Sequence, residues 1–553
     1  MLAEEKASID SRVEDFFEKE VIESFTDQRT LVEDSEIGIE TITEIINETY
    51  TDNFSGRAEI VPTGVEEDMA EEALRFTHPE SEHGELKHPP KRLRPAMFRW
   101  VGKEILDEDP EWDRIIEVPD EWNGLDLSGI SSWEQVQDSE VGVDPREVYE
   151  QELNDVSIAV ELLHNYTLAH DDPIDGDETR RGVPVSWVEI KDTAVEEYDI
   201  DEEEAARLGK DLSINLGDLM HDLPYSIISS SNFTDEKITE MVSTFADGSM
   251  RIAMGQQRDI LMEYLSQEDV LDEESRSALA EDLFGSGPAR NGYIDMSDKK
   301  TGDLYATSAA LGAIAADASE NVLRLESGEE VAHAQVESDE DIVEQLEDLE
   351  ADTSELEARV YRASGLEEAY QVLQDSGEDY GIEASMVDEK EEAASYARAA
   401  ALSFQITDDV NELVNGAEYG TDSDKPEKQP TDVLNGKTTL TYMTAVKSIE
   451  NQMEQLEEEI EERVGNDDYA TLGPLKDRKR QLEHDRIMID RLYGNQDASS
   501  DEVMDVSERV LENSSAQEVY ETCSRFVNQA LERAAVEEGE LKGLAEYMHE
   551  RDF

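Results

Sequence analysis

Apolar side chains recur every three or four residues over long stretches of this chain, the spacing that gathers them on one face of a helix. The period shows early, in VEDFFEKEVIESF and EIGIETITEIINETY, so residues 1–60 are expected to be helical. It returns in Leu162, Leu163, Tyr166, Leu168 and Ala169, just ahead of a cluster of acids. A further helical run, SYARAAALS, leads to Phe404 and a second acidic pair. Val446, Ile449, Met453, Leu456 and Ile460 keep the spacing, and Leu475, Leu482, Ile489 and Leu492 resume it beyond Gly473-Pro474. That pattern predicts a helical hairpin over 444–493.

Two stretches break the rhythm. Residues 106–148 are acidic and punctuated by Pro and Gly, which predicts an inserted acidic surface loop. Residues 319–392 are also acid-rich, but Ile342, Leu346, Leu349, Leu356 and Val360 are spaced as on helices, so an acidic helical insertion is expected. There is no repeat of solenoid length and no Rossmann or P-loop glycine pattern.

Charge changes the picture. The chain of 553 residues carries 139 acids against 47 Lys and Arg, a formal charge of −92. Such a chain repels nucleic acid and anionic membranes, which excludes both as partners. With 38% of residues hydrophobic, the acids read as a coat on a folded protein, the pattern of cytoplasmic proteins from extreme halophiles. At molar salt the Debye length falls to about 3 Å, which screens that self-repulsion. A single cysteine, Cys523, excludes an intramolecular disulfide and fits a reducing compartment. The N-terminus MLAEEKASID has no basic and apolar leader pattern, and no apolar run reaches spanning length, so a soluble cytoplasmic protein is expected.

The candidate chemistry lies in ELLHNYTLAHDDPIDGDETRRGVP, residues 161–184. On a helix, Asp171 and Asp175 share a face, where like charges repel unless a cation lies between them. Hard oxygen ligands suit Mg²⁺, which keeps several waters and completes its shell with phosphates. The pair Arg180-Arg181 follows, and the arginine fork matches phosphate oxygens. Carboxylates for metal beside arginines for phosphate describe a diphosphate site. Asp408 and Asp409, in FQITDDVNE, repeat the acidic pair at the end of an apolar helix, with Glu412 in the fifth position.

With these two motifs the chain resembles the trans-isoprenyl diphosphate synthases, or polyprenyl synthetases. That family carries two aspartate-rich motifs on facing helices of an all-α fold. The resemblance implies an isoprenoid synthase-type helical bundle with its cavity between central helices, here a single domain over 1–553 with acidic insertions. It implies a Mg²⁺-dependent prenyltransferase that condenses an allylic diphosphate with isopentenyl diphosphate, and a homodimer. Further stretches match family motifs. Lys91, Arg94 and Pro95 match the motif that binds isopentenyl diphosphate, with Pro89 and Pro90 where the family has glycines. His164 matches a histidine that touches the same substrate. AARLGKDLSINLGDL resembles a family helix in which Gly209 and Gly217 would permit close packing, and MGQQRDI resembles another family helix. Lys300 and Thr301 match a pair at the allylic diphosphate and the developing cation. PTDVLNGKTTL matches a loop that places Asp432 and Lys437.

The resemblance also implies a role for each residue. Asp171, Asp175 and Asp408 hold Mg²⁺, supported by Asp172 and Asp409, while Arg180, Lys300 and Lys437 complete the anion clamp. Thr301 and Gln405 belong to the catalytic set. Lys91, Arg94, His164 and Arg181 hold isopentenyl diphosphate. Tyr166, with the small Thr167 before the first motif, resembles the archaeal type whose pocket floor stops growth at C20, geranylgeranyl diphosphate. Two rivals stand beside this reading. A class I terpene cyclase also uses an aspartate-rich helix but needs no isopentenyl site. A degenerate regulatory subunit would accommodate Pro89-Pro90, Pro173 inside the first motif, and Glu412.

Overall fold

The computed structural model describes residues 93–533 apart from 108–109, 120, 139–141, 181–182, 199, 267–274, 276–288, 320–321, 328–329, 337, 348–352, 364, 416–430, 467–471, 496–497 and 515. The expected helices of residues 1–60, together with Pro89, Pro90, Lys91 and Arg181, lie outside these residues.

The described chain is built mainly of helices. It begins with α1 (Leu93–Glu104), α2 (Trp112–Ile115), the ribbon β1 (Glu121–Trp122) and β2 (Leu125–Asp126), and α3 (Trp133–Asp138). The long α4 (Pro145–Asp175) follows, then the ribbon β3 (Thr179–Arg180) and β4 (Val183–Pro184), α5 (Ser186–Tyr198), α6 (Glu202–Ser230) and α7 (Asp235–Ser266). Next come α8 (Ala289–Ser297), a π-helical turn over Asp298–Gly302, and α9 (Asp303–Ala315). Strands β5 (Val322–Ser327) and β6 (Glu330–Gln335), helices α10 (Asp339–Glu347), α11 (Ser354–Val360) and α12 (Leu366–Ser376), and β7 (Glu383–Val387) make up the second acidic stretch. The chain then returns to helices: α13 (Glu389–Asn415), α14 (Thr431–Asn435), α15 (Leu440–Gly465), α16 (Leu472–Leu492), α17 (Ser500–Asn513) and α18 (Ala516–Arg533).

The bundle is organised around α9. Every residue of DLYATSAALGAIA is buried, as expected of a helix that carries small and apolar residues on every side after its first residue, Asp303. It packs against α1, α7 and α13. Small residues allow the approach: a Cβ on Gly312 would lie 2.3 Å from the carbonyl oxygen of Phe98. Along α4 one face packs on α6 and another on α1. Phe98, Trp100, Tyr149, Phe233 and Phe245 fill the space between them.

The first acidic stretch is more than a loop. Ile115, Ile116, Leu127, Trp133 and Val136 are buried in the main core, and Trp133 Nε1 donates to the Ile116 carbonyl at 2.8 Å. Scattered large apolar residues, too few to show a period, anchor it. The second stretch contains the expected helices and also a sheet, ordered β6–β5–β7 and antiparallel throughout. Leu323 and Leu325, two apart on β5, face α10–α12 and build a separate core with Ile342, Leu346, Leu356, Val360 and Leu373. Helices α15 and α16 pack on each other over the region read as a hairpin.

Candidate active site

Helix α4 delivers the first acids. Asp144 caps its start by accepting from Arg146 N–H at 2.9 Å, and Pro145 occupies the first turn, where a missing N–H costs nothing. Gly176, at φ 73°, ends it with a left-handed turn that most side chains resist. Pro173 does not break the helix, which runs on to Asp175. A proline there frees the carbonyl four residues back, that of Ala169. Ser213 of α6 donates to that oxygen at 2.8 Å, so the lost bond is replaced from the neighbouring helix. Gly217, one turn further along α6, allows this contact: a Cβ there would lie 2.2 Å from the His170 ring.

Four elements bring charge to the end of α4. Lys300 Nζ lies 2.7 Å from Asp259 Oδ2 of α7 and 3.5 Å from Asp171 Oδ2. Lys437 Nζ, on the loop after α14, lies 3.7 Å from Asp175 Oδ2 and 3.5 Å from Asp432 Oδ1. Its position is fixed through its own carbonyl, which accepts from the Tyr493 hydroxyl at 2.6 Å. Arg180 holds Asp172 Oδ1 through Nε at 3.0 Å and Nη2 at 2.6 Å. Burial, with the charge of Asp175 adding to it, pushes the Asp171 carboxyl up to about 6 despite Lys300. Burial also raises Asp172 against the pull of Arg180. At Asp259 burial is outweighed by Lys300 and Lys437, which hold its carboxyl below the usual value.

Lys300 sits in the π-helical turn, whose wider coil is common at functional sites. Gly255 of α7 makes room for it, since a Cβ there would lie 2.3 Å from the Lys300 backbone nitrogen. Thr301 donates to Gln405 Oε1 at 2.9 Å, and Gln405 Nε2 donates to Asp409 Oδ1 at 2.8 Å. The other oxygen of Asp409 accepts from Tyr293 at 2.5 Å. Asp408 is half-buried beside it on α13, and the Glu412 side chain lies outside the described residues.

The remaining expected residues are spread along the bundle. Arg94, at the start of α1, lies 4.7 Å over the Tyr305 ring of α9, and its Nε has no hydrogen-bond partner among the described residues. His164 is half-buried on α4 two turns before Asp171. Thr167 donates to the His164 carbonyl at 2.7 Å. Tyr166 is buried and meets His221 of α6 edge-on, with 5.1 Å between ring centres. Tyr225 and Phe245 extend that aromatic wall.

Among the described residues, no three His, Cys, Asp or Glu side chains are arranged to hold a metal ion. Of the five carboxylates expected at metal, Asp172 is bound by Arg180 and Asp409 by Tyr293 and Gln405. Asp171 and Asp175, mutually repelling on one helix face, still suit a hard cation that keeps waters and takes phosphate oxygens. Asp259, Ser213 and Tyr293 are site neighbours that sequence reasoning did not assign. The stretch MGQQRDI pointed at Asp259 without giving it a partner.

The sequence profile of the polyprenyl synthetase family matches residues 136–333. Over these residues the chain is similar to the polyprenyl synthetases. The segment includes α4, Arg180, Asp259, Lys300 and Thr301 and ends within β6, before Asp408 and Lys437. The geranylgeranyl diphosphate synthase of Sulfolobus acidocaldarius is 29% identical over 171 residues, 31% of this chain and 40% of that protein. That of Mycobacterium tuberculosis is 30% identical over 164 residues, 30% of this chain and 35% of that protein. The chain thus spans about 40% of the length of the curated relatives it matches. A geranylgeranyl pyrophosphate synthase from Corynebacterium glutamicum, solved with isoprenyl diphosphate and magnesium, aligns with a TM-score of 0.49 at 14% identity, covering 93% of this chain and 100% of that one. The matched segment leaves α13–α18 outside, although α13 packs directly on α9 within it.

Proposed function

We propose that this protein is a prenyltransferase that joins an allylic diphosphate to isopentenyl diphosphate, releasing diphosphate and an all-trans chain longer by one unit. The observation that carries the reading is the meeting of Asp171, Asp175, Asp259, Lys300 and Lys437 at the end of one helix. Mg²⁺, held by Asp171, Asp175 and Asp408 when bound, would supply positive charge against the leaving diphosphate. Lys300, Lys437 and Arg180 add fixed positive charge to the same oxygens as the carbon–oxygen bond breaks, which is electrostatic stabilisation of the departing anion. Thr301 and Gln405 present neutral dipoles toward the carbon that becomes electron-poor. Lys91, Arg94, His164 and Arg181 hold isopentenyl diphosphate so that its double bond attacks that carbon. The released diphosphate takes the final proton.

The curated relatives named as geranylgeranyl diphosphate synthases support a C20 product, with Tyr166 and Thr167 setting the floor. The −92 charge supports a protein of a salt-rich cytoplasm, and a homodimer is the assembly proposed. No helix among the described residues is long and apolar enough to cross a membrane. The test is incubation of purified protein with allylic diphosphates, isopentenyl diphosphate and Mg²⁺ in molar KCl, followed by sizing of the products. C20 diphosphate is the expected product, with activity lost in dilute buffer. Cyclised hydrocarbon, or no conversion unless an active synthase is added, would replace the reading with a cyclase or a regulatory subunit.

A further inference from the structure

Behind the lysine–threonine turn lies a buried charge that the reaction above does not use. Asp303, the first residue of α9, is 2% exposed. Its Oδ1 accepts from Arg251 Nε of α7 at 3.0 Å and from Arg398 Nη2 of α13. Arg398 Nε also lies 3.4 Å from Asp298 Oδ1, at the start of the π-helical turn. A carboxylate so far from water is costly unless charged partners meet it with good geometry, and two guanidiniums from different helices do so here.

The spacing on both helices shows what this arrangement grips. Arg251, Gly255 and Asp259 recur every four residues and share one face of α7. They meet, in turn, the Asp303 carboxylate, the backbone of Lys300 and the ammonium of Lys300. On α13, Arg398 and Gln405 lie two turns apart on one face and meet Asp303 and the Thr301 hydroxyl. Each helix therefore grips the turn at two levels. Asp303 is the inner attachment on both, and it is the point where the acid-bearing α13, the lysine turn and α7 are locked together.

We propose that Asp303 is a positioning residue for prenyl transfer: through Arg251 and Arg398 it sets the turn so that Lys300 and Thr301 reach the allylic diphosphate while α13 presents Asp408. This inference rests on the function proposed above.

The test is steady-state kinetics of the full chain with a separate KM for each substrate, at a temperature where all variants are folded. Asp303→Asn is expected to lower kcat about tenfold or more and to raise KM for the allylic substrate, with KM for isopentenyl diphosphate unchanged. Thr301→Val is expected to behave similarly, and the double variant to be little worse than either single one, because both act through one turn. Arg251→Gln, at a half-exposed side chain that tolerates change, is expected to give the same split more weakly and decides the matter if Asp303→Asn does not fold. A lowered melting temperature with wild-type kinetics, equal change in both KM values, or fully multiplicative losses in the double variant would overturn the positioning role. An inactive wild type would overturn the parent reading together with this one.

Discussion

The two aspartate pairs look alike in sequence and are held quite differently. At the end of α4, Asp171, Asp172 and Asp175 face Lys300, Arg180 and Lys437, so charge meets charge. On α13, Asp409 is held by the neutral Tyr293 and Gln405, which in turn holds Thr301. The first pair is surrounded by cations that a bound diphosphate could draw away. In the second, Asp409 is held by the hydroxyl of Tyr293 and the amide of Gln405. Asp172 and Asp409 are thus the same residue type held by a cation in one place and by neutral groups in the other, and the partner, contributed by a distant segment, makes the difference.

The comparison breaks first on the residues expected to meet metal. Asp171→Ala and Asp408→Ala are each expected to lower kcat by about a thousandfold with the fold retained. Near-normal turnover in either variant, measured by product formation, would end the two-motif mechanism. Lys300→Met comes next, with kcat down about a hundredfold. It also leaves Asp171 and Asp259 facing each other unpaired, and a loss of about 3 kcal/mol in denaturant unfolding is expected. If stability were unchanged, the lysine would not be neutralising the first cluster.

Acidity also marks the first cluster. The Asp171 carboxyl stands at about 6, above the ordinary aspartate value, so the folded protein holds a proton that the unfolded chain releases. Its contribution to stability therefore falls as pH rises from about 4 through about 6, while the ionised form needed for a cation accumulates above about 6. Calorimetric Mg²⁺ binding in the presence of a diphosphate is expected to strengthen from about pH 5 to about pH 7 and to lose that dependence in Asp171→Asn. Affinity flat across that range in the wild type would contradict the assignment.

Tyr166 lies roughly 7.5 Å below Asp171 along α4. Tyr166→Ala is expected to change product length beyond C20 and to leave turnover within about threefold, because the His221–Tyr225–Phe245 wall remains. An unchanged product would place the floor elsewhere. Tyr293→Phe removes one bond to Asp409. A stability loss of about 1–3 kcal/mol and a rate within about tenfold of wild type are expected. A thousandfold loss would mean that Asp409 does more than align Gln405.

Much of the helical frame was legible because its apolar period is long and regular, as in α4 and α15. The sheet of the second acidic stretch was not. Leu323 and Leu325 alternate over too few residues for a period to stand out among acids, and β7 pairs with β5 across three intervening helices. Pro173 illustrates the other gap. Local rules give a proline the power to bend or end a helix. The compensating donor, Ser213, comes from α6 and has no local mark as a partner of Ala169.

The sequence by itself determined which residue types could do chemistry and where helices would carry them: two acidic pairs toward the ends of helices, a basic pair after the first, and a lysine–threonine step before a helix of small, mostly apolar residues. These are local properties, set by spacing along the chain. Only the tertiary structure decided the partners. It gave Lys300 to both Asp171 and Asp259, turned Asp409 toward Tyr293, and buried Asp303 between two arginines. Those pairings join segments far apart in the chain. They depend on desolvation and distance, quantities that exist only once the helices have packed.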